Sequence, residues 1–189
     1  MHRTTAPTLG FALFPTALGH CGIAWSAHAI TGCQLPCATA EQTAQWMQQR
    51  FPAAVQTPAP DWVEAIAADV TALLAGDTSA HPRLEQAPLD MALAPPFHRE
   101  VWEAARRIPM GETLLYGELA SLLGQPGAAR AVGQALGANP FAPIVPCHRI
   151  LAKGQAGGGF SAPGGVDTKL RMLQTERARF GAPGLFDEL

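Results

Sequence analysis

Cys147, His148 and Arg149 stand next to one another inside the otherwise apolar run IVPCHRIL (144–151). A thiol among aliphatic neighbours can pack as a small hydrophobe, but such a site gains nothing from an imidazole and a guanidinium at the next two positions. At an ordinary pKa of about 8.5 only a small fraction of a cysteine is thiolate at neutral pH, so a cysteine nucleophile needs a nearby base. His148 is the candidate. Side chains of adjacent residues diverge, so the proton would pass through a water, and a carboxylate such as Glu176 would orient the ring. The chemistry implied is attack by the Cys147 sulfur with His148 as its base.

A second unusual stretch is QPGAARAVGQALG (125–137), which reads as a helix nearly bare of side chains. Ala128, Ala129, Ala131, Gly133 and Ala135 are small, leaving Arg130, Val132, Gln134 and Leu136 to project. Such a surface admits another helix at close range. It also suits a helix that enters the minor groove of DNA, about 6 Å wide, and presents one arginine there.

Other elements must position these groups. GFALFPT (10–16), CGIAW (21–25) and AITGCQL (29–35) read as strands of a small antiparallel sheet. TAEQTAQWMQQRF (39–51) and DWVEAIAADVTALLAG (61–76) have helical periodicity, with Thr39 and Asp61 as caps and Gly76 as a stop. Residues 77–96, rich in proline and turn formers, read as a linker. PFHREVWEAARRI (96–108) is a helix with Val101, Trp102, Ala105 and Ile108 inward, stopped by Pro109. TLLYGELASLLG (113–124) is the next; its turn into 125–137 suggests a helix-turn-helix. A glycine-rich loop (152–165) and a last helix, VDTKLRMLQTERA (166–178), follow. The expected class is α+β: a domain over 1–92 with a small sheet, then a mostly helical domain over 93–189.

These segments resemble the alkylguanine-DNA alkyltransferases, also called methylated-DNA–protein-cysteine methyltransferases. PCHR followed by an aliphatic residue is similar to their active-site signature, AARAVGQALGANP (128–140) to their recognition helix and following asparagine, and IPMGETLLYGELA (108–120) to the segment carrying their tyrosine. The ordered match runs over roughly 95–178, and the first half resembles their sheet-containing N-terminal domain. The resemblance implies a ribonuclease-H-like first domain, a winged-helix-like second one, and single-turnover transfer of an alkyl group from O6-alkylguanine in DNA to Cys147. It implies His148 as water-mediated base, Glu176 holding His148, and Asn139 ordering the turn that carries the cysteine. Tyr116 would contact the DNA backbone and donate a proton toward the departing guanine, and Arg130 would fill the gap left by the flipped nucleotide. Ala128, Ala129, Ala131 and Gly133 would line the DNA-facing surface. Backbone around Cys147 and Ile150, with Ser161, would hold the base edge; Phe160 would pack near the alkyl group, and Lys169 would stand near that pocket. Three positions depart from the family pattern: Phe160 where tyrosine is common, a longer SAPGG loop, and Gly137 where a basic phosphate contact is frequent.

Composition limits the rivals. At 48% apolar and 15% charged residues the chain is globular rather than disordered, and no apolar stretch approaches a membrane span. Pro7 and Pro15 interrupt the N-terminal apolar patch, so no signal peptide is expected. The four cysteines are read as reduced and the compartment as cytoplasmic. Net charge is −4 up to His98 and +2 beyond it, a mild tilt of the second half toward a polyanion. Cys21, Cys33 and Cys37 with His20 or His28 invite a zinc reading, which some relatives share, but they match no strong ligand template; no metal is expected. A cysteine protease would need a distant histidine with an Asn or Asp partner, and the other histidines lie in unpromising places. The expectation is a monomer acting on DNA containing O6-alkylguanine, with no cofactor and no membrane. Its rival is a non-catalytic alkylguanine sensor or regulatory DNA-binding protein, and the thiol at 147 separates the two.

Overall fold

The computed structural model describes residues 9–154 and 159–178. The middle of the glycine-rich stretch, 155–158, lies outside them. The fold is α+β. Strands β1 (Gly10–Thr16), β2 (Gly19–Trp25) and β3 (Ile30–Gln34) form an antiparallel meander, as the alternating apolar segments predict. The sheet as a whole is mixed, however. A two-residue strand β4 (Val55–Gln56) pairs parallel to β1, giving the order β3-β2-β1-β4. No hydrophobic alternation marks so short a strand.

Helix α1 (Ala40–Arg50) starts where Thr39 accepts a hydrogen bond from the Gln42 amide, the cap read from sequence. Helix α2 (Asp61–Leu74) corrects the next cap: Pro60 holds that position, and Asp61 is instead the first helical residue. Its carboxylate still favours the positive end of the helix dipole. Gly76 takes φ +90° beyond the helix, a conformation glycine adopts without strain. Residues 77–96 are not a bare linker. A 3-10 turn (Thr78–Ala80) and helix α3 (His81–Glu85) lie here, and Ala80, Leu84, Ala87 and Met91 are buried in the main core. Prolines and turn formers masked that apolar set.

Helix α4 (Pro96–Arg106) buries Val101, Trp102 and Ala105, with Ile108 just beyond it. The following segment is helical for less than its periodicity suggests. Leu114–Leu115 is a strand, β5, paired parallel to β6 (Ile150–Leu151), and α5 begins only at Tyr116 and ends at Leu122. Helix α6 spans Ala129–Gly137, and 125–128 belong to the turn. Gly124 and Gly127, at φ +71° and +95°, allow α5 to reverse into α6. Helix α7 covers Gly165–Thr175, so Glu176 is its C-terminal cap residue rather than part of its body.

One core cluster runs from Cys21 and Ile23 in the sheet through α2 and α4 to Val132, Cys147 and Met172. Polar ties reinforce it. Trp102 Nε1 donates to the Ala135 carbonyl at 2.8 Å, fixing α6 on α4. Arg106 is buried and donates Nη2 to the carbonyls of Leu84 (3.0 Å) and Ala87 (2.8 Å). Arg106→Met preserves much of the apolar stem but leaves both carbonyls without that donor. It is expected to lower stability by about 2–4 kcal/mol; an unchanged denaturant midpoint would show that these bonds contribute nothing net.

Candidate active site

Cys147–Arg149 forms a single 3-10 turn leading directly into β6. The loop before it is fixed by Asn139, whose Nδ2 donates to the Val145 carbonyl and whose Oδ1 accepts from the Phe141 amide, both at 2.9 Å. The sheet supports the same loop from behind: Cys33 N–H donates to the Pro140 carbonyl at 2.8 Å, and Trp102 meets Phe141 edge to face.

Cys147 is 8% exposed, and it lines a cleft of about 460 Å³ walled by Tyr116, Gly133, Leu136, Phe160 and Ser161. A second cleft of about 390 Å³ shares Cys147, Leu136, Gly137 and Ser161 with the first and runs toward Gln34, Trp46 and Arg50. The sulfur is therefore buried yet borders open space. Burial pushes its thiol pKa up, while Asn139 and the charge of Lys169 pull it partway back. The resting thiol is protonated, and a base is required.

His148 is fully buried, with Nε2 2.9 Å from Glu176 Oε1. Glu176 is also clamped by Arg149, which donates Nε to Oε2 at 2.9 Å and Nη2 to Oε1 at 2.8 Å. Burial pushes the Glu176 carboxyl up, but His148 and Arg149 together outweigh that and hold it at about 2. Burial lowers the His148 pKa against the pull of Glu176. The consistent state is a carboxylate facing a neutral imidazole whose proton sits on Nε2. Nδ1 then carries the lone pair, and it has no hydrogen-bond partner among the described residues. A buried base with an unused lone pair can take a proton from a thiol in the preceding residue through a water.

The other expected residues fall as follows. Tyr116 opens α5 on the cleft wall; burial and then Cys147 raise its pKa, keeping the phenol protonated. Arg130 is exposed on α6, where Ala129, Ala131 and Gly133 are partly exposed, as is Ala128 in the turn before it. Phe160 lines the cleft, its ring centre 6.0 Å from Lys169 Nζ. Ser161 is exposed, its hydroxyl 3.4 Å from the Gly137 carbonyl. Lys169 is fully buried and donates to the Ile150 carbonyl at 2.7 Å, with burial lowering its pKa to about 8. The Ile150 amide donates to the Cys147 carbonyl, so both backbone groups of Ile150 already brace the turn.

Arg149 is the residue whose part in the site the sequence reading left unassigned. It is fully buried, and beyond Glu176 its Nη1 reaches the Ile108 carbonyl at 2.6 Å and His81 Nδ1 at 3.2 Å. The available signal was a cation in an apolar run, which requires a buried counter-charge. Among the described residues, Cys21 and Cys33 are buried in the sheet, the Cys21 thiol pushed up to about 12 by burial, and no three histidine, cysteine or acidic side chains gather as metal ligands.

Residues 96–178 match the family described as 6-O-methylguanine DNA methyltransferase, DNA binding domain. The chain is 52% identical over 81 residues to the methylated-DNA–protein-cysteine methyltransferase of Salmonella typhimurium, covering 43% of this chain and 46% of that protein. It is 49% identical over 92 residues to the protein of that name from Mycobacterium bovis, covering 48% and 54%. These alignments span about half the length of the relatives. The structure superposes on the crystal structure of Mycobacterium tuberculosis OGT in complex with DNA with a TM-score of 0.68 and 31% identity, over 89% of this chain and 93% of that one.

Proposed function

The chain belongs to the O6-methylguanine-DNA methyltransferase family, and from this we propose that it repairs DNA by direct reversal, moving a methyl or other alkyl group from O6-alkylguanine onto Cys147 once per molecule. The observation that carries the proposal is the relay behind Cys147: a neutral His148 tied to a carboxylate that Arg149 keeps ionised, beside a cleft.

The proposed reaction balances without a cofactor. The Cys147 proton passes through a water to His148 Nδ1. The sulfur attacks the alkyl carbon, an S–C bond forms as the C–O bond breaks, and the electron pair stays with guanine. Tyr116 donates its phenolic proton to the departing guanine, and the phenol is restored through solvent as His148 gives up the proton it took from Cys147. The product thioether has no easy hydrolytic return.

O6 lies inside the duplex, so the nucleotide must first leave the stack, at an energetic cost that damaged pairing reduces. We assign Arg130 to the vacated space, with Tyr116, Ala128, Ala129, Ala131 and Gly133 as the DNA-facing surface. Phe160 and Ser161 are assigned to the pocket, and Ile150 and Lys169 to bracing it. Asn139 and Glu176 hold the nucleophile loop and the base. We further read 1–92 as a ribonuclease-H-like scaffold and 93–189 as a winged-helix-like DNA-binding and transfer unit. The paired α5 and α6 support that view. A reducing cytoplasm suits a reactive thiol, and one copy of the chain suffices for the proposed chemistry. Among the described residues no helix is long and apolar enough to cross a membrane.

Incubation with an O6-methylguanine oligonucleotide, followed by weighing of tryptic peptides, tests the proposal. The Cys147 peptide should gain a methyl group in place of hydrogen as the lesion disappears. DNA that is bound but unrepaired, with the peptide unchanged, would make the protein a sensor.

A further inference from the structure

We propose that His81, in the N-terminal half, is a positioning residue for the transfer: its neutral ring accepts a hydrogen bond from Arg149 and thereby fixes the guanidinium that clamps Glu176 behind His148. The proposal rests on Cys147 being the nucleophile and adds a further residue to its support.

The contacts form one chain from the nucleophile's neighbour outward. His148 Nε2 lies 2.9 Å from Glu176 Oε1, Glu176 receives two bonds from Arg149, and Arg149 Nη1 lies 3.2 Å from His81 Nδ1. A guanidinium has donors and no acceptor. The His81–Arg149 bond therefore exists only while His81 Nδ1 carries a lone pair, which in this geometry means a neutral ring protonated at Nε2. Protonation removes the acceptor and sets a second cation against Arg149 in a partly buried place.

The charged groups around His81 are Arg149, Glu85 on α3 itself, and Glu176 at the end of α7. Burial and then Arg149 lower the His81 pKa, with the two carboxylates opposing them. His81 is thus neutral at neutral pH, and the bond is lost as pH falls through the acid range. His81 is only partly buried, so protons reach it from solvent. Arg149 also holds the Ile108 carbonyl, and its fork is oriented from both sides.

His81→Gln keeps a neutral acceptor at every pH, and His81→Lys places a permanent cation there. Both would be measured against wild type from about pH 5.5 to 8. One measurement is single-turnover alkyl transfer; the other is the rate at which iodoacetamide labels Cys147, read from its tryptic peptide. His81→Gln is expected to match wild type at the high end and to lose the His81 share of the acid decline. His81→Lys should be slower by about tenfold throughout, as expected when a base is misaimed. Both measurements should rank the proteins alike. Variants that track wild type at every pH in both measurements overturn the proposal. Should His81→Lys fail to fold, the acid limb of His81→Gln decides alone. If labelling shows the expected ranking while no protein, wild type included, transfers an alkyl group, His81's role stands and the repair reading falls.

Discussion

Cys147→Ala is expected to bind an O6-methylguanine duplex about as well as wild type while alkyl transfer falls by more than about 10⁴-fold, to background. The substitution removes one sulfur from the border of the cleft and leaves Tyr116, α6 and the His148–Glu176 pair in place. Binding and chemistry should therefore separate cleanly. Among the described thiols only Cys147 lines the cleft with Tyr116 and Phe160, and Cys33 borders only the second cleft. Cys21 and Cys33 are buried in the sheet, with burial pushing both thiols up. Cys37 is partly exposed beyond β3 and lines neither cleft that Cys147 borders. A single-turnover assay with a labelled alkyl group measures the loss directly. Residual transfer, or label on another cysteine, would move the nucleophile away from 147.

Glu176→Gln is expected to cost both rate and stability. The amide can still meet His148 but no longer neutralises Arg149, whose guanidinium has almost no exposure. Breaking such a buried pair from one side destabilises a protein by about 3–5 kcal/mol. Transfer should slow by about 100-fold, because His148 loses the charge that holds its proton on Nε2 and stabilises the imidazolium formed during attack. The pH dependence has a definite sign. The folded-state pKa of about 2 lies below the ordinary 4.5, so Glu176 contributes fully above the ordinary carboxylate range, and that contribution disappears as pH falls through the folded value. The stability gap between wild type and variant should be widest near neutrality and narrow on acidification, as followed by urea unfolding at stepped pH. A gap that stays constant or widens in acid would mean that the carboxylate is not held ionised by its partners.

Periodicity located the helices that bury one apolar face, α2 and α4 above all. It overextended α5 and α6, whose first residues serve a strand and a turn. Leu114 and Leu115 read as helix because their apolar character suits either period, and pairing with a segment 36 positions away settles the matter. The parallel strand β4 and the packed α3 were missed for a related reason. Each is short, and long-range contacts determine its conformation. In the site, adjacency revealed Cys147 and His148, the need for an orienting carboxylate pointed to Glu176, and the resemblance supplied Asn139 and Tyr116. Arg149 signals only the need for a buried counter-charge, and its partners, like that of His81, are side chains tens of positions distant; His81 also sits in a stretch whose prolines suggest no packing.

The short ladder between β5 and β6 pairs Leu114 with Ile150 and Leu115 with Leu151. Tyr116 follows one strand immediately, and the Cys147–Arg149 turn precedes the other. Phenol and sulfur thus hang from the two strands of one main-chain pair, while Arg130 is carried by α6, which packs on α5. On the roles proposed above, substitutions on the exposed face of α6 around Arg130 would change how the protein meets DNA while the β5–β6 ladder still ties the backbone at Tyr116 to that at Cys147.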